Sequence, residues 1–256
     1  MADELAQART RIAQLEKQVA ELEAASKLAD GELDQLAYGI SHDLRSPLRA
    51  VGGFSEMLEE DCGAKLDENG RRYLSVIRAS AGKLERMIAG LLEYSRVCRQ
   101  QLRPDAVDME ALARRAVEKV GSPDTAAFQP IPSLPPAGGD AELLYHVWHN
   151  LLANALTFSG QSASPRIEIG GRREQGECVW YVRDNGVGFD MQYAGKLFGI
   201  FQRMHGDEEF PGAGTGLATV RRIVTRHGGR VWAEARVDEG ACFFFALPDS
   251  RETQAR

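Results

Sequence analysis

The sequence predicts a multidomain fold: an N-terminal coiled coil and an antiparallel helical hairpin, followed by an α/β domain. Three observations predict it. The first forty of the 256 residues are almost free of glycine and proline and carry apolar or small residues at a seven-residue step. A second long stretch with an apolar stripe follows a short break. Beyond Pro104, strand-like runs alternate with helical ones, and mixed elements after an all-helical start imply a separate α/β unit.

The elements follow in order. Leu5, Ile12, Val19, Ser26, Leu33 and Ile40 form one heptad track; Ala8, Leu15, Leu22, Ala29 and Leu36 form the other. Flanking Glu, Lys, Arg and Gln predict a parallel two-stranded coiled coil, with a single solvated helix packed on its own domain as the alternative. Ser26, Ala29 and Gly31 loosen the seam. The helical pattern continues through His42 to about residue 60. Residues 61–69 read as a loop with a helix start near Asp67. A second helix is predicted over about 68–101, striped by Tyr73, Ile77, Ser80, Leu84, Met87, Ile88, Leu91 and Ser95. A lone hairpin cannot bury such stripes; a second copy would complete a four-helix bundle.

Pro104 marks a boundary, because a helix normally stops before proline. A helix is predicted over 108–120, short extended pieces over the proline-rich 129–139, and a helix over 141–158. Strands are predicted over 166–169, 178–183, 230–235 and 242–247. A glycine-rich segment and a helix over 216–227 separate the second strand from the third. The resulting division is 1–32 coiled coil, 33–103 helical hairpin, 104–250 α/β domain and 251–256 tail.

Composition narrows the function classes. Net charge is −6 and the sequence pI is near 5.5, which argues against non-specific nucleic-acid binding. Cys62, Cys98, Cys178 and Cys242 lie far apart with no CxxC pair, so they read as small hydrophobes or idle thiols rather than a zinc or redox site. No apolar run approaches the roughly 18–20 residues that span a bilayer. The first ten residues carry acids and no apolar core, so no signal peptide is expected. A cytoplasmic, reducing location is the expectation.

Four constellations carry chemistry. The first is Ser41-His42-Asp43-Leu44-Arg45-Ser46-Pro47-Leu48. His42 falls outside both heptad tracks, so its imidazole is expected to face solvent. Asp43 is placed to orient one ring nitrogen and leave the other ready for attack. Pro47 lacks the N–H that would reach back four residues, which weakens the helix there. The second is Asn150-Leu-Leu-Ala-Asn154. Four residues apart, the two asparagines share one helix face; their oxygens suit a hard cation and their amides suit phosphate. The third is Asp184-Asn185-Gly186-Val187-Gly188-Phe189, directly after a strand. Its carboxylate can accept from an amino group while Gly186 and Gly188 let backbone approach a ligand. The fourth is Gly212-Ala213-Gly214-Thr215-Gly216-Leu217 running into a helix, whose first N–H groups favour phosphate. It is neither a Walker A loop nor a Rossmann fingerprint.

In this order and spacing the four resemble the histidine, asparagine and two glycine boxes of the sensor histidine kinases. Leu197-Phe198-Gly199-Ile200-Phe201-Gln202-Arg203 resembles the phenylalanine box between the glycine boxes. The likeness runs from about Leu33 to Pro248 and is nearest to kinase cores attached to phytochrome-type photosensors, through His42-Asp43-Leu44, Phe201-Gln202-Arg203 and His227-Gly228-Gly229.

The resemblance implies a dimerisation and phosphotransfer domain followed by a two-layer α/β sandwich of the ATP-binding type shared with gyrase-type ATPases. It implies His42 as phosphoacceptor, Asp43 as its activating base and Asn150 and Asn154 as Mg²⁺ and phosphate ligands. Asp184 would read adenine, and Gly186, Gly188, Gly212, Gly214, Gly216 and Leu217 would form the nucleotide loops. Arg203 would lie near the γ-phosphate, and residues 204–211 would form a lid. The implied activity is ATP-dependent autophosphorylation of His42 and transfer to an aspartate on a response-regulator receiver domain, by a homodimer. The sequence departs from the family at Thr157, where lysine is usual, and at Gly199, where an acid is frequent. Ser46 stands where a Thr or Asn often positions water for phosphatase activity; serine keeps a hydroxyl. The competing readings are a catalytically silent dimeric hub and a gyrase-type ATPase.

Overall fold

The computed structural model describes residues 11, 14, 17, 18, 39, 43–121, 127–160, 162–204, 206, 210 and 212–249. The heptad tracks and His42 lie outside the described residues. Residues 43–62, the continuously described part of helix α1, run through Pro47 without a break. A single 3-10 turn, Gly63–Lys65, leads to α2, Glu68–Arg99. The connection is therefore shorter than the 61–69 expected, because Asp61 and Cys62 still belong to α1. Asp67 starts α2 as expected: its carboxylate accepts from Gly70 N at 2.7 Å, satisfying one of the N–H groups a helix start leaves unpaired.

The predicted stripe of α2 splits. Leu74, Ala81, Ile88 and Ser95, at a strict seven-residue step, are buried. Tyr73, Ile77 and Leu84 of the predicted stripe are exposed, as are Leu44, Val51, Phe54 and Met57 on α1. Helix α2 thus buries one seam, while the hairpin leaves a second apolar face uncovered.

After Pro104 come β1 (Asp105–Val107), α3 (Met109–Val120), β2 (Ala137–Gly139) and α4 (Ala141–Ser159). Then follow β3 (Ile167–Glu174), β4 (Glu177–Asp184), α5 (Gly216–Arg226), β5 (Arg230–Arg236) and β6 (Gly240–Pro248). Short β1 pairs antiparallel with β2. The main sheet is antiparallel throughout, in the order β3-β4-β6-β5. Asp108 caps α3 through Ala111 N, and Asp140 caps α4 through Glu142 N and Leu143 N. Strand β3 is twice its predicted length, since its second half, Gly-Arg-Arg-Glu, is polar and carries no apolar signal. It turns into β4 through Gln175 and Gly176, both at positive φ, the geometry that tight hairpins require.

The helices α3, α4 and α5 cover one face of the sheet. Trp148 of α4 meets Phe245 edge-on at 5.2 Å, and Trp180 stacks on the same ring at 5.2 Å. All three are fully buried. Phe245→Ala is expected to destabilise the fold by about 3–5 kcal/mol, since two rigid indoles cannot collapse into the void; a urea midpoint within error of wild type would refute this. The opposite face carries Val179, Cys242, Phe244 and Ala246, roofed by Tyr181 and Trp232. Among the described residues Cys62, Cys98, Cys178 and Cys242 form no disulfide. No helix among the described residues is long and apolar enough to cross a membrane.

Candidate functional site

Between α4 and the sheet, a cavity of about 310 Å³ opens beside the N-terminus of α5. Helix α4 presents Asn150, Asn154 and Thr157 to it. The end of β4 presents Asp184, and the following loop presents Gly188 and Phe189. Leu197, Arg203, the turn 212–217 and Phe243 complete the wall. Residues from the asparagine run, both glycine runs and the phenylalanine run therefore converge on one space, although 67 positions separate Asn150 from Leu217.

Asp184 is the one carboxylate among these described lining residues, and it is only 4% exposed. Burial pushes its pKa up from 3.8 to about 6, although the Gly186 and Ala241 N–H groups oppose the shift by hydrogen-bonding the ionised form. Gly186 N donates to Asp184 Oδ1 at 2.9 Å. A carboxylate held in an apolar wall, with its backbone side already occupied, offers its remaining lone pairs to a donor in the cavity.

At the other end, Asn150 Nδ2 donates to His146 O at 2.8 Å, which fixes the amide and turns Oδ1 toward Gly216. A Cβ on Gly216 would lie 2.8 Å from that oxygen, so glycine is what lets α5 start beside it. Thr215 stands at the N-cap of α5 yet makes no side-chain capping bond. Gly214 has φ +69 and receives Phe201 N on its carbonyl at 2.8 Å. Together these place a helix start, suited to an anion, beside a fixed amide oxygen, suited to a cation that such an anion would carry, at one end of the cavity.

Several expected site residues take other positions. Gly186 does not line the cavity; it lies behind Asp184, where a Cβ would meet Phe158 O at 2.3 Å. Gly212 does line it, but a Cβ there would meet nothing within 4 Å. Arg203 lines the cavity and directs its guanidinium to loop carbonyls, donating to Gly212 O at 2.6 Å, Gly206 O at 3.3 Å and Phe210 O. It ties Gly206, Phe210 and Gly212 together; the rest of the 204–211 lid expected from the sequence lies largely outside the described residues. Thr157 returns its hydroxyl to Ala153 O at 2.8 Å. Asp43 and Ser46 are exposed on α1, away from the cavity lining. Sequence reasoning missed Phe158, Phe189 and Phe243 in the wall, because an aromatic that lines a cavity and one that fills a core look alike in sequence.

The residues present fit a nucleotide better than a caged metal. Among the described residues no group of three His, Cys, Asp or Glu side chains could hold an ion. Amide oxygens from Asn150 and Asn154 suit a Mg²⁺ that keeps water and phosphate as its other ligands.

Comparison with known proteins agrees with this geometry. Residues 32–97 match the His Kinase A (phospho-acceptor) domain, and 139–251 match the histidine kinase-, DNA gyrase B- and HSP90-like ATPase domain. Cyanobacterial phytochrome A of Nostoc sp. is 32% identical over 242 residues, covering 93% of this chain and 32% of its own. The chain thus spans about a third of that relative's length. The full-length structure of ShkA in complex with AMPPNP aligns with a TM-score of 0.55 at 26% identity, over 84% of this chain and 45% of that one. Histidine kinase ThkA, solved in complex with response regulator protein TrrA, shares the fold at 22% identity with a TM-score of 0.57, over 85% of this chain and 62% of that one. The chain carries a histidine kinase catalytic core, a His Kinase A phosphoacceptor domain followed by an α/β sandwich of the histidine kinase-type ATPase family.

Proposed function

We propose that the chain binds ATP in the cavity between α4 and α5, phosphorylates His42 and passes the phosphoryl group to an aspartate on a response-regulator receiver domain. The observation that carries this is the cavity itself: a buried carboxylate at one end, and a fixed asparagine oxygen beside an uncapped helix start at the other. Asp184 accepts from the adenine amino group. Gly188 lets the backbone fold over the base, and Gly186 supports the carboxylate from behind. Gly212, Gly214, Gly216 and Leu217 bring the N–H groups of α5 to the phosphates. Asn150 and Asn154 would hold Mg²⁺, which would supply charge neutralisation on the triphosphate.

Asp43 accepts a proton from one nitrogen of the His42 imidazole while the other nitrogen attacks the γ-phosphorus. An N–P bond forms, the bond to the β–γ bridging oxygen breaks, and ADP leaves. The phosphoramidate then yields to a carboxylate on the partner. Ser46, four residues after His42 in the chain, positions water for hydrolytic removal of phosphate from that partner. Arg203 acts by holding the loop over the phosphates.

In this reading residues 33–103 form the phosphotransfer unit, 104–250 the nucleotide unit and 1–32 a coiled coil that transmits the input. The exposed apolar face of α1 and α2 supports a homodimer, in which two hairpins make a four-helix bundle. A cytoplasmic setting suits an ATP-consuming domain.

Incubation with labelled ATP and Mg²⁺ tests the reading. An acid-labile, base-stable label is expected on wild type and none on His42→Gln, with nucleotide binding unchanged. Steady phosphate release that survives His42→Gln would replace it with a gyrase-type ATPase.

A further inference from the structure

Gly90 sits in the interior of α2, where glycine weakens a helix relative to alanine. It is nonetheless buried. A Cβ there would lie 2.4 Å from Thr215 Oγ1, 2.9 Å from Ala213 Cβ and 3.0 Å from Thr215 Cγ2. Ala213 and Thr215 both line the cavity. The bare backbone of α2 therefore rests on the outside of the turn whose inside forms the cavity wall.

The contact continues along one face of α2 at steps of three and four residues. Glu93 Oε1 lies 3.7 Å from His146 Nδ1 on α4. Arg226 of α5 donates to Val97 O at 2.6 Å and to Gln100 O. Beyond the helix, Arg103 N donates to Asp140 Oδ2 at 3.0 Å, tying the connecting segment to the cap of α4. Gly90 is the point in this row nearest the turn, and there any side chain would collide.

The level of this contact on the hairpin is also set. Arg78 of α2 pairs with Glu59 and reaches Glu56 at 3.9 Å on α1. Two antiparallel helices rise equally per residue, so that register carried toward the start of α1 puts Ser46 level with about residue 90. The turn 213–215 thus meets the hairpin at the height of the segment that follows His42.

We propose that Gly90 is a positioning residue for phosphoryl transfer: its missing side chain seats α2 against Ala213 and Thr215 and sets the nucleotide turn at the level of residues 43–46. The proposal rests on the kinase reading above. It separates binding from transfer. Gly90 touches no nucleotide, so a side chain there shifts the turn relative to the hairpin without removing a ligand contact.

The test uses the full chain with Gly90→Ala and Gly90→Leu. At saturating ATP the rate of histidine labelling is expected to fall on the order of tenfold for alanine and up to about a hundredfold for leucine, the loss that a misplacement of about 1 Å can cause. The KM for ATP is expected to stay within about threefold, since the cavity lining is intact. Thr215→Ala removes two of the three colliding atoms, so it should slow Gly90→Ala less than it slows wild type. A labelling rate that holds or rises in Gly90→Leu overturns the proposal, as does a KM that rises in step with the loss of rate. Amide exchange tests the seating without kinase activity: Gly90→Leu should speed exchange across 86–94 and 213–219 while the β4–β6 core stays protected. If wild type takes no histidine label, the kinase reading fails and exchange alone decides the seating; unchanged exchange then overturns it.

Discussion

Asp184→Asn is expected to weaken ATP binding by about ten- to a hundredfold and, without nucleotide, to raise thermal stability. The two effects share one cause. Burial lifts the Asp184 pKa from 3.8 to about 6, so the folded protein binds this proton more tightly than the unfolded chain does. A carboxyl group whose folded pKa is raised contributes most to stability below pH 3.8, and that contribution is lost as pH rises through about 6. At neutral pH the native protein therefore carries a buried charge that costs on the order of 3 kcal/mol. Asparagine removes the charge while keeping one oxygen, which Gly186 N already claims. Its NH₂ group then faces the adenine amino group as donor against donor, and a hydrogen bond to a charged acceptor is worth about 1.5–3 kcal/mol. Calorimetric titration with ATP and a melting curve without it check both halves. Wild-type affinity in Asp184→Asn would remove Asp184 from the adenine site. The same carboxylate predicts that wild-type ATP affinity weakens as pH falls below about 6, when the acceptor becomes protonated.

Gly188→Ala is expected to destabilise the ATP-binding domain by about 3–5 kcal/mol, among the large effects for a single substitution. Gly188 has φ +58, which L-residues adopt at a cost of about 1–2 kcal/mol. The larger part is steric. A Cβ would fall 1.9 Å from Arg236 O and 2.8 Å from Gly240 O, both backbone atoms of the turn joining β5 to β6. That turn is already pinned by Asp238 N donating to Val187 O at 2.8 Å, and Gly240 itself packs on Asp184 O. The methyl group must therefore push apart two loops that support the Asp184 carboxylate. Gly212→Ala is the contrast: its Cβ meets nothing within 4 Å, so stability should change by less than about 0.5 kcal/mol. Equal unfolding midpoints for the two variants would show that the close approach at Gly188 is not what holds this loop.

Most of the architecture was legible because its signals are local. Asp67 and Asp108 start helices through their own carboxylates. The four strands of the main sheet each announced an apolar run, and three of them ended within two residues of the expected bounds. Strand β1 and the second half of β3 stayed silent, since edge segments with polar faces carry no burial pattern. The candidate site was legible as the asparagine run, the two glycine runs and the phenylalanine run, each weak alone. Their convergence on one cavity could not be read from any of them, nor could the aromatic wall of Phe158, Phe189 and Phe243.

The sequence by itself determined the identities that chemistry needs: a histidine with an adjacent aspartate, paired asparagines four apart, one aspartate at a strand end, and glycines ahead of a helix. These are covalent facts, carried by neighbours in the chain. The tertiary structure alone decided which glycine does what. Gly188 and Gly214 need positive φ, Gly186 lets Phe158 O approach, Gly216 makes room for Asn150, Gly212 meets no neighbour, and Gly90 admits Thr215. The same residue type serves each purpose, and the difference lies in atoms contributed by segments far away in sequence. A glycine's role is set by what would strike its missing Cβ, and only the folded chain brings those atoms near.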